Sequence, residues 1–136
     1  MIEVLTRQLL EDVECLIAYL ETNKESMTHD LLGIDVANRV CKMTIAVHGK
    51  CEMICRELIA CKHVNENSIR LAVGRISAFV FFDVDEFVYS KFPNMAPRGL
   101  MKEGVPKSTN LGREINIEAL KRLLENAICK LRVAIN

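Results

Sequence analysis

The chain has 136 residues, with 18 basic and 18 acidic side chains and a formal net charge of zero, and half of its residues are hydrophobic. This length and apolar content predict one domain with its own core. The balanced charge argues against a surface wholly adapted to nucleic acid or membrane lipid. No apolar run is long enough for a membrane span. We therefore expect residues 1–136 to form a single domain that is not a membrane protein.

The N-terminus and the cysteines predict where the protein resides. The stretch MIEVLTRQLLEDVE mixes acidic and apolar residues, unlike the basic-then-apolar pattern of a secretion signal. Six cysteines are present, but not in the short, glycine-rich context of a disulfide scaffold. In a reducing compartment they remain thiols. We predict a cytoplasmic protein with free cysteines.

Two amphipathic helices are predicted in the first half of the chain. In residues 2–22 the apolar side chains fall on one face of a helix, and most of the charged ones fall opposite. Residues 24–34 are polar and predict a connection. Asp35 is then expected to cap a second helix that runs to about Lys62. Each helix therefore has one face available for a core.

A third helix is predicted over IRLAVGRISAFVFFDVDEFVYSKF (69–92), which is apolar nearly all round. One apolar stripe begins at Ile69, and a second contains Leu71, Phe82 and Tyr89. A helix with two apolar stripes is central in its domain or is buried by a second subunit. We therefore predict a homodimer that buries Leu71, Phe82 and Tyr89, or the opposite stripe.

The segment FVFFDVDEF (79–87) also allows a strand, because its apolar residues favour extended structure. An apolar strand that ends in Asp-x-Asp resembles aspartate-nucleophile phosphatases of the haloacid dehalogenase type. The match stops at Asp83 and Asp85, and no further convincing strand flanks the segment. The helical spacing instead predicts Asp83 and Glu86 on a solvated strip, with Asp85 facing elsewhere.

The last third of the chain combines a long connection with a final helix. Residues 93–115 contain three prolines and three glycines, which no stable helix accommodates. Asn116 is expected to cap a helix at 117–135. The whole pattern predicts an all-α, four-helix bundle-like domain with a long Pro/Gly-containing connection before the last helix.

The stretch CKMTIAVHGKCEMIC (41–55) is a candidate thiol or metal site. His48, Cys51 and Cys55 share the apolar face of the second helix, and a zinc ion takes nitrogen and sulfur ligands of this kind. One helix supplies two ligands at most, so further ligands would have to come from Cys15, Cys129 or a partner subunit. Buried cysteines also serve as small apolar residues, and we favour that interpretation, with His48 as a hydrogen-bonded core histidine. We expect neither a metal nor a cofactor.

The long connection is the predicted binding segment, because structureless loops of this length in small domains often carry function. It is basic, and it contains apolar residues that have no helical face to occupy. The residues that we predict to bind a partner are Lys91, Arg98, Leu100, Met101, Lys102, Lys107 and Arg113.

Three functional classes follow, in order of preference. The first is a non-catalytic interaction or regulatory protein that binds another protein through the 93–115 loop and adjacent helix ends. The second is a nucleic-acid-associated regulator that uses the basic loop, although the loop has little aromatic stacking capacity. The third is a thiol- or metal-dependent enzyme at His48, Cys51 and Cys55.

Overall fold

A computed structural model describes residues 1–97 and 114–136 of the chain. It is all-α. The helices are α1 (Ile2–Thr22), α2 (Ile34–Ala60), α3 (Glu66–Val80), α4 (Glu86–Lys91) and α5 (Ile117–Ile135). A π-helical turn, Phe81–Asp85, joins α3 directly to α4, and short 3₁₀ turns lie at Lys24–Ser26 and Pro93–Met95.

Four long helical segments form the bundle, and the α3–α4 segment counts as one of them. The helix α1 packs against α2, α2 against α3, and α3 against α5, while α5 also contacts α1 and so closes the ring. Neighbouring helices are antiparallel. The Asn65 amide at the start of α3 donates to the Ala134 carbonyl near the end of α5, and Lys121 at the start of α5 pairs with Glu21 at the end of α1. The predicted four-helix architecture is confirmed.

The core explains why these sequences are helical, since each long helix contributes a stripe of buried side chains. In α1, seven of the nine buried residues are leucine or isoleucine, and in α5 five of the seven buried residues are. The largest fully buried side chains are Leu9, Leu16, Leu20, Met27, Leu32, Ile54, Leu58, Ile69, Ile76, Leu120, Leu124 and Leu131. Burial of one such side chain contributes about 1.5–3 kcal/mol to folding.

The ends of the helices test the capping predictions. The Asn116 side chain accepts a hydrogen bond from the Ala119 backbone N–H at 3.0 Å, so this predicted cap is confirmed. The prediction for Asp35 is wrong, because the N-cap of α2 is Gly33, two residues earlier. Asp35 instead lies in the first turn, where its negative charge faces the positive end of the helix dipole.

The predicted third helix differs most from the structure. It begins at Glu66 rather than at residue 69, and it is interrupted by the π-turn rather than continuous. The strand alternative for FVFFDVDEF is also wrong, because Phe79 and Val80 end α3 and the next five residues form the π-turn. A π-turn contains one more residue than an α-helical turn, so every later side chain is rotated relative to a regular helix.

Three further contacts hold the described ends of the long connection at one end of the bundle. Ile115 donates its backbone N–H to the Met27 carbonyl at 3.3 Å, and Thr28 and Glu114 form an isolated antiparallel bridge. Lys91, at the other end of the connection, donates to the Asp30 carbonyl at 3.2 Å. Among residues 1–97 and 114–136, no helix combines the length and the apolarity required to cross a membrane.

Candidate functional site

The π-turn places a carboxylate inside the bundle. At about 100° per residue, a regular helix from Ile69 would turn Asp85 roughly 160° away from the direction of Ile69. The extra residue in the π-turn reduces this angle to roughly 60°, which is the inner face. Asp85 is accordingly only 2% exposed, and it is the buried carboxylate of the described core. Turns of this type often occur at functional sites.

His48, in the middle of α2, is the partner of Asp85. Its Nε2 lies 2.6 Å from Asp85 Oδ2, and its Nδ1 lies 2.8 Å from Ser77 Oγ on α3. The imidazole is 29% exposed, whereas the Asp85 side chain is 3% exposed. The result is a Ser77–His48–Asp85 chain of hydrogen bonds across the contact between α2 and the α3–α4 segment, which we call the polar seam. The interpretation of His48 as a hydrogen-bonded core residue agrees with these contacts.

The polar seam continues toward the end of α4. Burial raises the pKa of the Cys41 thiol to about 11, and the negative charge of Asp85 adds to this effect. Burial also raises the pKa of the Tyr89 hydroxyl, again with a contribution from Asp85. Asp85 Oδ1 is buried and has no hydrogen-bond partner within the part of the chain that the structure describes. Burial, with a smaller contribution from Asp85, therefore favours the protonated forms of Cys41 and Tyr89.

Ser77 was not among the residues predicted from the sequence. It lies eight residues before Asp85, which corresponds to an angle of about 80° in a regular helix. With the extra residue of the π-turn, the angle falls to about 20°, so both side chains face His48. The sequence signal for this arrangement is that Asp85 follows a long apolar run. This signal does not show where a π-turn interrupts the helix.

The predicted thiol and metal residues do not converge. His48 uses both ring nitrogens for Ser77 and Asp85, as described above. Cys51 is buried, and its burial, with a smaller effect from Cys55, raises its pKa to about 12. Within residues 1–97 and 114–136, no group of three His, Cys, Asp or Glu side chains is arranged to hold a metal ion. All six cysteines are free.

The predicted partner-binding residues fall mostly beyond what the structure describes. Arg98, Leu100, Met101, Lys102, Lys107 and Arg113 lie outside the described residues. Lys91 is described, and its ammonium group also lies 5.9 Å from the centre of the Phe92 ring. The anchors of the connection, at Asp30, Met27 and Thr28, all belong to the segment that joins α1 to α2.

This end of the bundle has an open cleft of about 980 Å³. The cleft is lined by residues of the α1–α2 connection and by residues 114–118. Its charged lining residues are Glu21, Glu25, Glu114 and Glu118 with one lysine, Lys24, so acidic side chains predominate, and Leu31 is 66% exposed beside them. Ile34, at the start of α2, is 51% exposed. We call this surface, with Leu31 and Ile34, the connection end.

The residues predicted for a dimer interface divide into two groups. Leu71 and Phe82 are each 57% exposed, so they are available to a second subunit. Tyr89 is 4% exposed and lies in the core of its own chain, so its assignment to a subunit interface is wrong. The π-turn explains the error, because it rotates Tyr89 away from the stripe that Leu71 and Phe82 share. Leu71 also borders a groove of about 530 Å³ between α3 and α5.

The chain matches no protein-family model, no curated protein and no solved structure.

Proposed function

We propose that the chain is a protein-binding regulatory domain that docks its partner through the 93–115 loop and the connection end. One observation supports this proposal above all. Lys91, just before the loop, donates to the Asp30 carbonyl, and Ile115, at the end of the loop, donates to the Met27 carbonyl, so the two described ends of the loop meet the same short segment. This common attachment supports a binding surface that includes the helix ends beside the loop. A loop carried by a packed scaffold is the usual location of binding residues.

The chemistry of the connection end suggests the kind of partner. Exposed Leu31 and Ile34 offer apolar contacts, while Glu25, Glu114 and Glu118 surround the cleft with negative charge. A protein segment with an apolar anchor residue and neighbouring lysines or arginines complements both features. The same carboxylates repel a phosphate backbone, so they favour a protein over the nucleic acid that the basic loop alone would allow.

The proposal is tested at Leu31. A photo-crosslinking residue at position 31 of the full chain would identify the neighbour in cells, and the affinity of the purified neighbour would then be measured. We expect Leu31→Asp to weaken binding at least about 10-fold, because Leu31 is a large exposed apolar residue that lines the cleft. Ile59→Asp is the matched control, since Ile59 is 72% exposed at the opposite end of α2.

Replacing residues 95–110 with a Gly/Ser linker should also abolish binding. Wild-type affinity in both the linker variant and Leu31→Asp would contradict the proposal. Steeply salt-dependent binding to heparin or nucleic acid, without any protein neighbour at position 31, would favour the nucleic-acid alternative instead.

We also propose that two copies associate through Leu71 and Phe82, and that the domain works in the cytoplasm. The six free thiols support the cytoplasm, which is a reducing compartment.

Support for the dimer comes from the exposure of Leu71 and Phe82, two large apolar residues on one helical segment. Sedimentation at several micromolar concentrations should show a dimer. The double variant Leu71→Glu/Phe82→Glu should be monomeric, and Ile45→Glu, changed at a residue 63% exposed on α2, should remain dimeric. A wild-type chain that stays monomeric contradicts this part.

A further inference from the structure

The polar seam has the hydrogen-bond order of an activated serine. Asp85 Oδ2 is an acceptor at 2.6 Å from His48 Nε2, so the neutral imidazole carries its proton on Nε2. The other ring nitrogen, Nδ1, then has a free lone pair. Ser77 Oγ lies 2.8 Å from it and donates its hydroxyl proton to that lone pair. A hydroxyl held in this way loses its proton to the imidazole as it attacks an electrophile.

We propose that Ser77 is a reactive nucleophile that accepts an acyl group from small activated esters. His48 acts as the general base, and Asp85 is a positioning residue that holds the imidazole tautomer and stabilises the imidazolium. The roles are those of a Ser-His-Asp triad with the two ring nitrogens exchanged. This reactivity departs from the expectation of a purely non-catalytic protein. It involves no residue of the connection end, so it stands or falls independently of the docking proposal.

The solvent exposure of Ser77, His48 and Asp85 is consistent with acyl transfer to Ser77. Asp85 is shielded from water, which strengthens its hydrogen bond to the imidazole. The His48 imidazole is 29% exposed, and Ser77 is also partly exposed, so a small reagent reaches both. The π-turn explains why Asp85 is less exposed than Ser77. It turns the Asp85 side chain inward, whereas Ser77 precedes the π-turn and lies in α3.

The acyl transfer balances without another reactant. Ser77 Oγ forms a bond to the ester carbonyl carbon, and its proton moves to His48 Nδ1. The bond between that carbon and the leaving oxygen then breaks, and the imidazolium returns its proton to the leaving alkoxide or phenoxide. The products are O-acyl Ser77 and the free alcohol or phenol. Ser77 lies inside α3, where backbone N–H groups already donate within the helix, so we expect activated esters to react rather than amides.

The experiment uses the full chain and p-nitrophenyl acetate. Release of p-nitrophenolate gives the rate, and peptide mass mapping locates the acetyl group. We expect Ser77 to be acetylated about 100-fold faster in the wild type than in His48→Gln, the typical contribution of a general base. Asp85→Asn should slow acetylation at least about 10-fold, because an amide no longer enforces the same tautomer. Ser77→Ala should lose the adduct.

Ser68 is the internal control, since it is an exposed serine on the same helix. Circular dichroism and thermal unfolding would show that each variant folds, and His48→Gln keeps a hydrogen-bonding side chain for this reason. A purely structural seam would leave Ser77 no more reactive than Ser68, or equally reactive with and without His48. Either result overturns the proposal.

Discussion

The helix α1 and the segment from Glu66 to Lys91 are both long, amphipathic and packed against two neighbours, yet they differ in regularity. In α1 the buried side chains follow one helical period from Ile2 to Leu20, and Thr6 is the buried polar residue. The 66–91 segment changes its period at the π-turn and buries the charged side chain of Asp85. The comparison shows that the one extra residue of the π-turn brings the Asp85 carboxylate into the core while the chain remains helical.

The comparison is tested most severely by single-residue deletions. Removing exposed Glu11 from α1 should rotate Val13, Leu16 and Leu20 by about 100° away from the core. Each lost leucine costs about 2–5 kcal/mol, and the total reaches the whole stability of a typical domain. We expect this variant not to fold, as measured by circular dichroism.

Removing exposed Phe82 is the matched deletion in the π-turn. It converts the π-turn into an α-helical turn and leaves Asp85, Phe87 and Val88 on their present faces. The variant should therefore fold and lose less than about 2 kcal/mol in urea unfolding. If both deletions abolish folding, the π-turn is not simply a helical turn with one extra residue, and the comparison fails.

The second prediction concerns the pairing inside the polar seam. His48→Leu leaves the buried Asp85 carboxylate without its partner, and we expect a loss of about 2–3 kcal/mol in the free energy of unfolding. The double variant His48→Leu/Asp85→Leu removes both polar groups and should be more stable than the single variant. A double variant that is less stable than the single one would show that Asp85 is stabilised by groups other than His48, contrary to this prediction.

The third prediction uses alkaline pH to test the buried thiol of Cys41, whose pKa is affected by Asp85 of the polar seam. The folded pKa of Cys41 is raised from 9.0 to about 11, so between these pH values the unfolded chain has lost a proton that the folded chain keeps. Stability should therefore fall as pH rises through this window, by at most about 1.4 kcal/mol per pH unit. Cys41→Ala should make this slope smaller than in the wild type. Denaturation curves at several pH values measure both slopes.

The smallest effect is expected at the surface of α1. Glu21 and Lys121 form an ion pair at 3.3 Å, and both side chains are more than a third exposed. Such pairs contribute at most about 1 kcal/mol and are screened by salt. Glu21→Gln should therefore change the unfolding midpoint slightly, and 1 M salt should remove the difference. A loss comparable to that of His48→Leu would erase the contrast between the two regions.

Periodicity made most of the fold predictable. The bounds of α1 and α5 agree with the predicted 2–22 and 117–135, because their buried residues recur at one constant angle. The cap at Asn116 was also predictable, since its side chain needs only its own helix. The N-cap of α2 was predicted two residues too late, because more than one residue at this junction satisfies the local rules.

The candidate site was only partly predictable. The sequence identified His48 as a hydrogen-bonded core residue and singled out the two aspartates. It named neither Ser77 nor the pairing with Asp85. Pattern analysis assumes one period along a helix, and this assumption fails where the chain adds a residue. The same failure assigned Tyr89 to an outer stripe, although it is buried.

By itself, the sequence determined the helical class, the number of long helices and the faces that they bury, because spacing along one helix is a local property. Only the tertiary structure decided that Ser77, His48 and Asp85 meet. Their contact requires that α2 pack against the α3–α4 segment. It also requires that the π-turn rotate Asp85 toward α2, and the spacing of residues along either helix does not reveal this rotation. The physical reason is that a buried carboxylate is stable only where another element supplies its hydrogen-bond donor.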